Sequence, residues 1–107
     1  MEITEVKVTL VSQEQLKAYV TLVLDECFVV RDVKVIHGPK GYFVAMPSKK
    51  RKDGTFRDIA HPINRETREK LEQAVLRAYE EASGEHIEEV RNLEERESDS
   101  ESQELSV

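Results

Sequence analysis

Four consecutive cations, Lys49, Lys50, Arg51 and Lys52, are the residues of this chain best suited to chemistry with a partner. Set side by side they repel one another, so a fold that displays them on a turn gains by placing them against a polyanion. Arg57 lies just beyond them in the chain. Each Lys or Arg that neutralises a phosphate releases a counterion, which makes nucleic-acid binding through such a cluster steeply salt-dependent. Arg51 and Arg57 also carry the planar fork that fits a guanine edge, whereas the lysines act as point charges. The plainer reading is a solvated loop whose charge keeps the protein in solution.

Other residue types with chemical potential are more isolated. Phe56 sits beside the cations and could stack on an unpaired base, but the sequence favours it as a core residue of a returning strand. His37 and His61 have no cysteine or second histidine at ligand spacing, and a satisfied structural role is the expectation for both. Cys27 lacks an adjacent base and reads as a half-buried small apolar residue. No nucleophile, base and oxyanion donors assemble into a catalytic constellation, so neither enzyme activity, metal nor cofactor is expected.

The elements that must position the cations follow from hydrophobic period. In residues 3–11, Val6, Val8 and Leu10 alternate with Lys7 and Thr9, the signature of a half-buried strand. Residues 18–24 repeat it with Val20, Leu22 and Leu24 on one face. Asp25-Glu26 closes a tight connection into residues 27–36, a run with apolar ends and a charged centre at Arg31-Asp32 whose faces change role or meet a second chain. Turn formers at 37–41 lead into a strand over 42–46 that stops at Pro47. Four strands in hairpin succession predict an antiparallel meander. Asp53-Gly54 predicts a two-residue turn at the cationic tip, with a short fifth strand over 56–60.

After His61-Pro62, Asn64 is a good N-cap, and Leu71, Ala74, Val75, Ala78, Tyr79 and Ala82 recur at helical spacing. Gly84 is the expected stop. Arg65, Arg68, Lys70 and Arg77 lie off that stripe, which makes Arg68 a secondary candidate for phosphate contact, although Glu66, Glu69 and Glu72 dilute the charge. Ile87, Val90 and Leu93 keep a weak helical period, and from Glu94 onward the composition predicts disorder. The expected division is therefore a folded domain over 1–83 and an acidic extension over 84–107.

With 107 residues there is room for one domain with a thin core, for which oligomerisation is a common remedy. The formal net charge of −6 belongs to the extension. Residues 1–82 hold 14 Lys and Arg against 13 Asp and Glu, whereas 83–107 hold 2 against 9. The extension therefore has the charge of an internal competitor for the basic turn. A single cysteine excludes an intrachain disulfide, and there is neither a secretory leader pattern nor a long apolar run, so a reducing cytoplasm is the expected location.

The opening Met1-Glu2-Ile3-Thr4-Glu5-Val6, the block 28–36, and above all Phe43-Val44-Ala45-Met46-Pro47-Ser48-Lys49 and Asp58-Ile59-Ala60-His61-Pro62-Ile63 resemble the bacterial stage V sporulation protein G family of septation proteins. The likeness covers roughly residues 1–82. It implies a small α+β fold that dimerises, a cytoplasmic regulatory role in septation and sporulation-linked programmes, no enzymatic activity, and DNA or RNA binding through the segment after Ser48-Lys49. Carried onto this chain, that segment is Lys49, Lys50, Arg51, Lys52 and Arg57. The expectation is thus an antiparallel sheet of four to five strands with one main helix, a homodimer that binds nucleic acid. The alternative is a protein-interaction module of the division machinery whose basic turn meets an acidic protein surface.

Overall fold

The structure is a computed structural model and describes residues 1–87. Four strands form the antiparallel meander: β1 (Ile3–Leu10), β2 (Leu16–Leu24), β3 (Phe28–Gly38) and β4 (Gly41–Ala45), in that spatial order. A separate two-stranded ribbon follows, β5 (Ser48–Lys50) paired with β6 (Phe56–Asp58), and then helix α1 (Arg65–Ser83). The fifth strand expected beside the sheet is therefore half of a ribbon that stands apart from it. Pro47, which cannot donate to a ladder, separates the two sheets.

Turn chemistry sets each register. Asp25 and Glu26 both take positive φ, 49° and 56°, and the Cys27 N–H donates to the Leu24 carbonyl at 3.0 Å, closing the mirror-image turn whose twist suits a hairpin. Cys27 ends that turn and is exposed, contrary to the half-buried position expected of it, because a tight turn between two strands projects beyond the end of the sheet. β3 continues past the expected end to Gly38, so only Pro39-Lys40 connects it to β4.

The charged centre of β3 has a backbone explanation. Val20 pairs with Val33 and Leu22 with Val30, so Thr21 faces two residues, Arg31 and Asp32. Val30 and Val33 are three residues apart and would point to opposite faces in a regular strand. The bulge, with Asp32 at φ 62°, returns both to the helix side.

Helix α1 begins at Asn64, whose side chain accepts from the Thr67 N–H at 2.8 Å, and stops at Gly84, left-handed at φ 75° with its N–H donating to the Glu80 carbonyl. It lies on one face of the sheet, contacting β1, β3 and β4. Leu71, Val75, Leu76 and Tyr79 meet Ala18, Val20, Leu22, Val33, Val35 and Val44 there. Val75 is fully buried, and a side chain of that size contributes about 1.5–3 kcal/mol by leaving water. The buried stripe is rotated from the expected one, taking in Leu76 and leaving Ala82 exposed.

The packed body runs beyond the helix. Glu85 Oε2 accepts from both Tyr79 and Tyr42 hydroxyls, at 2.9 and 3.2 Å, and Ile87 joins the core. Burial and this shared carboxylate raise both phenol pKa values. The weak helical period at Val90 and Leu93 and the disorder expected from Glu94 lie outside the described residues.

Candidate nucleic-acid interface

The cations stand on the β5–β6 ribbon. Lys49 pairs with Arg57 and Lys50 with Phe56, so the cluster is partly strand rather than wholly turn. At the tip, the Arg51 N–H donates to the Thr55 carbonyl at 2.6 Å and the Gly54 N–H to the Arg51 carbonyl at 3.0 Å. Lys52, Asp53 and Gly54 thus form a three-residue loop with Gly54 at φ 90°, in place of the two-residue turn expected from Asp53-Gly54. One extra residue enters the loop because Gly54 supplies the left-handed position of a bulge.

Asp53 ties the loop together. Its Oδ1 accepts from the Thr55 hydroxyl at 2.6 Å and the Thr55 N–H at 3.0 Å, and these bonds hold its carboxyl below the ordinary aspartate pKa. At the ribbon's base the Ile59 N–H donates to the Pro47 carbonyl at 2.7 Å. Asp58 is half-buried, and desolvation raises its pKa against the opposing influence of His61 and Arg68.

Lys49, Lys50, Arg51, Lys52 and Arg57 are all exposed, and they border an open groove of about 540 Å³ that Asp58 and Ile59 complete. The structure therefore brings five of the six candidate site residues together. Arg68 is the exception. It is 6% exposed on the core side of α1 near Asp58, with Glu72 one turn along as the other buried charge among the described residues. Its place suits holding the ribbon's base rather than meeting an incoming phosphate.

Phe56 is a correction. It is 62% exposed rather than in the core, because a two-stranded ribbon has no second layer to cover it. Ile59 and Ile63, in the segment that follows, are likewise 70% and 65% exposed. Their exposure was not legible in the sequence, because it depends on which layers arrive to cover them. His61 faces its own backbone, with Nδ1 3.1 Å from the Pro62 carbonyl, and among the described residues no cluster of metal-ligating side chains forms. No helix among them is long and apolar enough to cross a membrane.

The SpoVG family profile matches residues 1–81. A relative from Anaeromyxobacter sp. (strain Fw109-5), "Putative septation protein SpoVG", is 66% identical over 80 residues, covering 75% of this chain and 82% of that protein. Proteins of the same name from Bdellovibrio bacteriovorus and Lachnospira eligens are 65% and 53% identical, covering 75% and 83% of this chain and 74% and 100% of their own lengths. The matched region ends within α1, so the ribbon and its cations fall inside it.

Proposed function

The chain belongs to the SpoVG family, and on that premise we propose that it is a homodimeric cytoplasmic regulator that binds DNA or RNA through the β5–β6 ribbon. The family acts in the regulation of septation and sporulation and is non-enzymatic. The observation that carries the molecular reading is the concentration of five exposed cations on an element that buries no core of its own. Their mutual repulsion disfavours the ribbon in isolation and becomes attraction beside a phosphate backbone.

Dimerisation is supported by three large apolar side chains left exposed on the ribbon and just after it, Phe56, Ile59 and Ile63, which a second copy could cover in part. A basic ribbon also suits an acidic protein surface, the second reading. A mobility-shift experiment separates the two, using single- and double-stranded DNA and RNA with wild type and with Lys49, Lys50, Arg51 and Lys52 replaced by Ala. Salt-sensitive shifts that the variant loses are expected. No shift by wild type, together with capture of a division protein that survives nuclease treatment, would favour the interaction module.

A further inference from the structure

The sheet has two faces, and α1 covers only one. On β2 the buried residues are Ala18, Val20 and Leu22, so the alternation of the strand sends Lys17, Tyr19, Thr21 and Val23 to the open side. Tyr19 is 38% exposed there on an interior strand, between its cross-strand neighbours Thr9 on β1 and Lys34 on β3. Lys7 pairs with Thr21 from one side, and the bulge puts Arg31 opposite Thr21 on the other. A large amphipathic ring at the middle of a sheet, ringed by cations and hydroxyls, is an arrangement suited to stacking a base while nearby charges follow the backbone.

We propose that this open face is a stacking platform for single-stranded nucleic acid, with a base on Tyr19 and phosphates near Lys17, Arg31 and Lys34. The proposal rests on the nucleic-acid reading of the ribbon and names the class of strand. Charge favours it. Lys7, Lys17, Arg31 and Lys34 outnumber Glu5 and Asp32 on this face, even with Lys7 3.9 Å from Glu5 and Lys17 Nζ donating to the Gln13 carbonyl. A second copy laid on the same face would bring an identical cationic excess against it, which disfavours self-association there.

The platform is also continuous with the ribbon. Lys34 pairs with Ala45, the last residue of β4, and Pro47 just beyond it is hydrogen-bonded to the ribbon's base at Ile59. Only residues 46 and 47 separate β4, the edge strand of the sheet, from the ribbon. A duplex gains little from the face, because its bases are already stacked and leave no ring free to lie on Tyr19.

The test uses the full chain and fluorescein-labelled oligo(dT) and oligo(U) of about 12 nucleotides, within the span such small sheet folds cover, with a duplex of equal length. Fluorescence anisotropy should show tighter binding to single strands. Tyr19→Leu keeps a strand-forming apolar side chain without a π-face and should weaken single-strand binding by roughly 5- to 150-fold, the range for loss of one stacked base. Tyr19→Phe should restore affinity to within about 2-fold, since its ring still stacks. Lys34→Ala should lower the salt slope by about 0.7.

Wild-type affinity in Tyr19→Leu, alongside lost binding in the four-residue ribbon variant, would overturn the platform and leave the ribbon reading intact. Tighter binding to duplex than to single strand would also overturn it, as would conversion of a wild-type dimer to a monomer by Tyr19→Leu in light scattering, which would make the face a self-interface. Failure of wild type to bind any of the probes would instead remove the ribbon reading and the platform with it.

Discussion

Replacing Lys49, Lys50, Arg51 and Lys52 by Ala removes four of the five exposed cations on the ribbon and leaves Arg57. If each meets one duplex phosphate, one wild-type ribbon gives a log–log salt slope of about −4.5 and the variant about −0.9, from roughly −0.9 per phosphate. Between about 50 and 200 mM salt, that slope weakens wild-type binding by about 500-fold and variant binding by about 3- to 4-fold. A single strand, at about −0.7 per phosphate, gives roughly 130-fold for wild type. A second ribbon engaged in a dimer adds its own exponent. Because all four side chains are exposed, folding stability should change by no more than about 0.5 kcal/mol, so a thermal melt controls for misfolding. The assay is anisotropy across a salt series. Equal slopes for wild type and the folded variant would refute the assignment of phosphate contacts to these residues, whatever the absolute affinities.

The acidic extension gives a second test. Residues 88–107 hold 8 Asp and Glu against 2 Lys and Arg, and removing them while keeping Glu85 and Ile87 should tighten oligonucleotide binding at low salt, with the difference fading at high salt. Unchanged affinity in a titration near 20 mM salt, roughly twice the screening length of 0.1 M, would end the idea of an internal competitor. Gly84→Ala places a Cβ in open space but forces an L-residue into φ 75°, so it should cost about 1 kcal/mol and lower the melting midpoint by about 4–8 °C in calorimetry. For Asp53, the depressed carboxyl stabilises the loop fully above the ordinary aspartate value of 3.8, and the contribution is lost as pH falls through the lower folded value. Amide exchange at Thr55 should therefore report loop opening on acidification that Asp53→Asn makes much less pH-dependent.

Much of the architecture is legible in residue order alone. The two-residue period of β1 and β2, the turn at Asp25-Glu26, the proline after β4, the Asn64 cap and the Gly84 stop each act over a few residues, so local chemistry determines them. The cationic cluster is legible for the same reason, because adjacent charges remain adjacent in any fold. Exposure is a different kind of quantity. Phe56 looks like a core residue in the sequence, and Arg68 like a surface cation. Only the assembled layers leave the ribbon uncovered, turn one sheet face outward, and bury Arg68 on the core side of α1. The bulge at Arg31-Asp32 belongs with these, since its purpose appears only when Val30 and Val33 must both reach the same helix. Sequence fixes what each segment prefers through short-range sterics and hydrogen bonding, whereas burial depends on which distant segments arrive beside it, and that is decided only when the sheet and helix pack.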